Sequence, residues 1–426
     1  MRVHGGLAPR ANGKDTTVAE QTDKLRTTLD TIQQRALIVG GAALALTVVG
    51  FAVSTTSQVL QSYLFAFLFF FGISAGSMFL LSLQNVTSGV WGLIIRRFVE
   101  AGALNIPWMA IMFIPIAAGV GVLYLWADPV AVAEDYVIAK KAPYLNVTFF
   151  LIRSAFYFLA WGLLVYKMRK LSLAQDAAPK SESENYRDQL ARWGGPSVVA
   201  HVMLWTFAAT DWGMSLEPLW ASSMYPVGWM AGQILTTFAV MIIVLWMFTR
   251  ENLLGYEVPV DRLHDLGKFT FAFTVLWTYL NFSQYLIIWS GNVAEFTPWY
   301  HYRTHGGWEY LAIALIFGHF FLPFFLLLSR HTKRNFNVVS RVSMWIVAIE
   351  LIYVFWLVNP AFHHDGFQIH WTHVTALAGV GGIWLWMAIR HLKEAPILPP
   401  NDHRIPELEA QLAPHDHGHA AHSAGH

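Results

Sequence analysis

The sequence contains no cysteine. Disulfides, thiolate-held iron–sulfur clusters and cysteine-ligated zinc are therefore excluded from this chain, though not from a partner. Charge is scarce as well. Only 13% of the 426 residues are Asp, Glu, Lys or Arg, about half the usual share of a soluble domain. The net charge of +1 leaves no strongly basic surface to attract nucleic acid. No short apolar core follows a basic start, so no cleavable signal peptide is expected and the first apolar span is expected to insert and stay. A phosphate-binding glycine loop and a nucleophile elbow are missing too.

Apolar and aromatic residues are abundant: 55% of the chain is hydrophobic, with 19 Trp, 15 Tyr and 30 Phe. One soluble core could not hide that surface, whereas a lipid-facing protein need not. Apolar spans lie near 36–53, 59–83, 103–126, 145–166, 197–215, 225–249, 267–290, 308–329, 341–359 and 371–390. Each approaches the roughly 20 residues needed to cross the hydrocarbon. They are long and continuous, unlike the short alternating strands of a membrane barrel. The expected fold is all-α: a polytopic membrane protein of about ten transmembrane helices. Helices 2–5 and 6–9 are expected to form two four-helix bundles, with the others peripheral. Residues 1–35 read as a polar arm, 36–392 as the membrane domain, and 393–426 as an extended His-rich tail. The charged stretch 167–195 reads as a solvated connector.

Lys and Arg set the orientation. They crowd the arm, every second loop (Arg96 and Arg97; Lys167 to Arg192; Arg250 and Arg262; Arg330 to Arg334) and the tail. The opposite loops hold Lys140, Lys141 and Arg303. The bias is roughly seven to one, which puts the basic side and both termini in the cytoplasm. The first and last spans are the weakest, and losing one would break the alternation.

Ionisable residues inside these spans carry the most information, because each costs roughly 2.5–3.5 kcal/mol at mid-bilayer unless paired or hydrated. One candidate seam runs through Arg153 and Tyr157 of the fourth helix and His201 and Asp211 of the fifth. The last two are ten residues apart, about 15 Å along the axis and within a quadrant of each other. A second seam lies in helices 7–9: Lys268 near the cytoplasmic mouth, Asn281 and Gln284 on one face, and His319 and Glu350 near the middle. Together these groups suit a proton relay. Each also has a plain structural reading: Arg153 neutralising Asp211, His319 bonded to a carbonyl, Lys268 snorkelling.

Metal and haem sites fare worse. His201 and His319, the deep histidines, are expected at different depths and do not make a haem pair. His363 and His364 precede Asp365 in an outer loop, where a copper site would require His370 or His373 as a third ligand. The tail histidines 415, 417, 419, 422 and 426 are irregularly spaced and read as solvated. No metal is assigned to the chain.

Two stretches carry a family resemblance: TDWGMSLEPLWASSMYPVGWMAGQ from Thr210, and HDLGKFTFAFTVLWTYLNFSQYLIIWSG from His264, the latter continuing to Arg330. With YLFAFLFFFGISAGSMFLL from Tyr63, they resemble the ActF membrane subunits of bacterial alternative complex III, within the superfamily of NrfD and polysulfide-reductase membrane subunits. The likeness covers most of helices 2–9, including Asp211, His264, Asp265, Lys268, Trp289 and His319. It implies a bacterial inner-membrane subunit, free of redox centres, in a respiratory quinol:electron-acceptor oxidoreductase. Its implied neighbours are an ActC-like sister membrane subunit, an iron–sulfur subunit, c-type haem subunits and lipid. Menaquinol, c-type haem and iron–sulfur clusters would then belong to the complex rather than to this chain. Whether a terminal oxidase joins them is left open. The implied role is a proton path coupled to quinol oxidation. Two alternatives stand beside it. In one, this chain itself binds quinol near the outer face, with Asp211, Glu217 or Glu309 as weak candidates. In the other, it is an independent ion-coupled transporter.

Overall fold

The computed structural model describes residues 18–412, and no strand occurs among them. The first basic residues of the arm and the terminal histidines lie outside the described residues. Ten long helices follow one another: α1 (Val18–Val53), α2 (Thr56–Thr87), α3 (Val90–Ala118, broken near its prolines), α4 (Val147–Ala177), α5 (Ser183–Trp212), α6 (Met224–Arg250), α7 (Val260–Gly291), α8 (Trp308–Leu328), α9 (Phe336–Val358) and α10 (Trp371–Leu392). A short α11 (Ile405–Leu412) closes the described chain. Nine of the ten, all but α5, are long and apolar enough to cross a membrane, the pattern of a multi-pass helical membrane protein. The marginal helix is therefore neither the first nor the last. Its opening turns, SENYRDQLAR, are polar, and Pro196 divides them from the apolar half.

α2 is the most enclosed of the helices, with apolar residues on every face and almost no charge. It packs on α3, α5, α6 and α10, while α6 packs on α7 and α9. Such all-round apolar character marks a helix surrounded by protein rather than lipid. α4 and α5 run antiparallel, joining Arg153 near the start of one to Asp211 at the end of the other. α1 pairs with α10 at close range. A methyl group on Gly382 would lie 2.5 Å from the Gly40 Cα. Small residues let two backbones approach where the hydrophobic effect supplies no drive between helices.

Three expectations from hydropathy need correcting. Residues 18–35 are not an arm but the first half of α1. Residues 167–177 and 183–195 belong to α4 and α5, so the supposed connector shrinks to a few residues. α3 begins at Val90, placing Arg96, Arg97 and Glu100 inside a helix and out of solvent. The tail also departs from an extended form. Beyond Lys393 it folds back beneath α2–α4 and buries Asp402 and Arg404.

One arrangement explains these shifts. Glu100 accepts from Arg96 Nε at 3.1 Å, Arg97 Nη1 at 2.6 Å, Arg169 Nη1 at 2.8 Å and Ser172 Oγ at 2.6 Å. Asp402 accepts from Arg404 Nε at 2.8 Å and Nη2 at 2.7 Å, and from Arg96. Arg97 also pairs with Asp176. A hydropathy window counts these residues as solvated loop, because it cannot register that they neutralise one another. Burial alone would raise the Asp402 carboxyl, but the Arg404 fork and the Arg96 charge outweigh it and hold Asp402 far below the usual carboxylate range.

Candidate functional site

The expected polar residues fall into two sets that the fold keeps apart. In the first, Arg153 clasps Asp211 with two bonds, Nε to Oδ2 at 2.7 Å and Nη2 to Oδ1 at 2.9 Å. Tyr157 donates to Asp211 Oδ2 at 2.8 Å. Arg153 Nη1 donates to the Tyr144 carbonyl at 2.8 Å, and the guanidinium lies 3.8 Å from the Tyr144 ring. Both Asp211 carboxylate oxygens are thus occupied, in the bidentate geometry that makes strong, closed pairs.

His201 does not join this set. It is fully buried, faces the rings of Phe79 and Trp161, and has no hydrogen-bond partner at either nitrogen. Trp161, Trp205 and Trp212 fill the same part of the core. Trp161 faces both the His201 ring and the Tyr157 ring, so an aromatic side chain stands where a polar seam was expected.

The second set comes together. His319 sits in a π-helical stretch, Leu315–Phe321, of α8. A widened turn shifts side-chain phase and often marks a functional position. Here the freed Gly318 carbonyl accepts from the Trp345 indole of α9 at 2.7 Å. His319 Nε2 meets Glu350 Oε2 of α9 at 2.5 Å, with both side chains almost wholly buried. Trp277 of α7 stacks on the imidazole, centroids 3.6 Å apart and planes 20° apart, which fixes the ring. Gly232 of α6 makes room for the carboxyl, since a methyl group there would lie 2.3 Å from Glu350 Oε1.

Each partner keeps its second polar atom unpaired: His319 Nδ1 on one side, Glu350 Oε1 on the other. Buried polar atoms without partners are uncommon. Polar groups continue from the pair through Tyr353, whose ring lies 5.9 Å from that of His319. Tyr353 donates to Asn281 at 2.9 Å; Gln284 donates to Tyr300 at 3.1 Å and accepts from Ser222 at 2.9 Å. Asn281 and Gln284 were expected in this seam; Tyr353, Trp277, Gly232 and Gln233 were not. Gln233 was the legible omission, the one amide side chain in α6.

The remaining candidates lie at the ends. Lys268 is more than half exposed and pairs with Asp265 at 2.7 Å, which also meets Arg262 at 2.8 Å. Such exposed pairs contribute little to stability. Glu217 pairs with the buried Arg303 at 2.6 Å. Glu309 accepts from the Gly307 amide at 2.7 Å, which holds the start of α8. His364 stacks on Tyr302, while His373 bonds Asn359 at 2.9 Å. Among the described residues no group of three or more His, Cys, Asp or Glu is placed to hold a metal ion. The tail histidines fall outside the described residues.

Neither a family model nor a curated protein matches the chain.

Proposed function

We propose that this chain is a non-redox membrane subunit of a respiratory quinol-oxidising complex, and that the Glu350–His319 pair is the central station of its proton path. Helices α2–α5 and α6–α9 are read as two four-helix bundles, a grouping favoured by the packing of α6 on α7 and α9. The observation that carries the proton reading is the pair itself: buried, hydrogen-bonded, and open at both outer atoms. A proton arriving at His319 Nδ1 would drive the Nε2 proton onto Glu350 Oε2. A carboxyl rotation would then present that proton on the Oε1 side. The imidazole must regain its first tautomer before the next cycle, so the pair is a gated step rather than an open wire.

The closed Arg153–Asp211–Tyr157 set and the isolated His201 have no part in this route. Glu217 and Glu309 are both engaged, in an ion pair and a helix start, and give less support to quinol binding by this chain. Identity as part of such a complex is tested by mild-detergent purification, which should bring c-type haem bands and an iron–sulfur partner with the chain. The proton role is tested by Glu350→Gln in the reconstituted complex. Quinol oxidation should continue while protons moved per electron fall, and an unchanged ratio would sink the assignment.

A further inference from the structure

Glu350, whose Oε1 is unpaired, lines a small cavity where α2, α6 and α9 meet, together with Gly72, Ile73, Trp229, Gln233 and Thr236 among others. Its free space is on the scale of about one water molecule. Three of its polar side chains lack any partner: the Glu350 oxygen, the Trp229 indole N–H, and the Gln233 amide at both its oxygen and its nitrogen. All three residues are at least nine-tenths buried. Thr236 does not compensate, because its hydroxyl donates to the Gly232 carbonyl of its own helix at 2.8 Å.

The backbone is shaped to keep these groups together. Gly232 lets the Glu350 carboxyl lie against α6. Gly72 does the same for Gln233 on α2, where a methyl group would come within 3.2 Å of the amide. Leaving three buried polar groups unpaired is costly, because each gives up its hydration with no bond in exchange. A dry cavity is expected only where the walls are apolar, and a buried water makes about three hydrogen bonds on average. The four donors and acceptors here lie at the upper end of the range of about two to four. The Trp229 N–H and the Gln233 amide N–H can donate to a water oxygen, and that water can donate to Glu350 Oε1 and the Gln233 carbonyl.

We propose that this cavity is a built site for one structural water, with Trp229 and Gln233 as positioning residues for Glu350. Held between Glu350 and Gln233, the water extends the hydrogen-bonded line of the His319–Glu350 pair inward toward α2. This use of the site rests on the proton reading above; occupancy by water does not.

The test is infrared spectroscopy of the whole complex in lipid, as the difference between perfusion with ordinary water and with water labelled with oxygen-18. The wild type should show a sharp, isotope-sensitive O–H band from a buried water. That band should be lost or shifted in Trp229→Phe, Gln233→Leu and Glu350→Gln, and Gln233→Glu should restore a band that Gln233→Leu removes. Gln233→Glu keeps the size and shape of the side chain, so it guards against loss of fold. A band indifferent to all three substitutions overturns the proposal, as does its absence from the wild type. A spectrum that responds to exchange of sodium for potassium instead of the oxygen isotope would place a cation in the cavity and also overturn it. If the band behaves as expected while Glu350→Gln leaves the proton ratio unchanged, the water site stands and the proton-path reading falls.

Discussion

Replacing Asp402 by Asn should release the tail from the basic end of the protein. The Asp402 side chain is fully buried and bonded to Arg404 through Nε, Nη2 and the backbone N–H, and to Arg96. Arg96 would retain Glu100 at 3.1 Å. Among the described residues Arg404 has no second carboxylate partner, only the Gln84 amide oxygen at 2.8 Å and the Gly89 carbonyl at 3.2 Å. Removing one member of a buried ion pair costs about 3–5 kcal/mol, because the other charge is left uncompensated. An Asn keeps the shape and some of the bonding, so about 3 kcal/mol is the expected loss. At 1.36 kcal/mol per tenfold, that is roughly a hundredfold shift toward the undocked tail. Limited trypsin cleavage after Lys393 and Arg404 in native membranes reads this directly, since cleavage follows the open population when opening is fast. Asp30→Asn is the control. It breaks a 2.6 Å pair with Lys393 whose carboxylate side is well exposed, and should cost under about 1 kcal/mol. Equal cleavage of Asp402→Asn and wild type would refute the claim that buried charge docks the tail.

Further outcomes follow from the same contacts. The tail should loosen in mild acid through His403 rather than Asp402. Burial lowers the His403 pKa, Asp402 opposes that, and Arg404, Arg187 and Arg96 reinforce it. A depressed histidine contributes stability that is complete above its unfolded value, about 6.5, and is lost as pH falls through the folded value. Tail cleavage should therefore rise below about pH 6.5, and His403→Gln should flatten that rise. Arg153→Met and Asp211→Asn should each destabilise by about 3–5 kcal/mol in thermal unfolding, whereas Arg153→Met with Asp211→Leu should recover most of the loss. A double variant as unstable as the sum would mean that the pair does more than neutralise charge. His201→Phe should leave the proton ratio unchanged, since among the described residues His201 has no hydrogen-bond partner to pass a proton to; a lowered ratio would return it to the path.

Much of the second seam could be read in advance. His319 and Glu350 stand out because an ionisable residue in an apolar span is rare, and each could be placed near the middle of its span by counting residues. That they touch could not be counted. It depends on the π-turn of α8, which changes the phase of His319 relative to an ideal helix. The first seam failed for a related reason. Helical phase says nothing about what fills the space around His201, and here Trp161 and Phe79 do.

What the sequence determined by itself is the solvent. Its long apolar runs, scarce charge and absent cysteine impose helices that satisfy their own backbone, and alternate loops of Lys and Arg imply their direction. Only the tertiary structure decided which charges count as interior. Arg96, Arg97, Glu100, Asp402 and Arg404 look like loop and tail residues along the chain, and become a buried network once residues about 300 positions apart meet, as Arg96 and Asp402 do. The physical reason is that hydropathy is a property of single residues, whereas neutralisation is a property of pairs, and the pairs exist only in the fold.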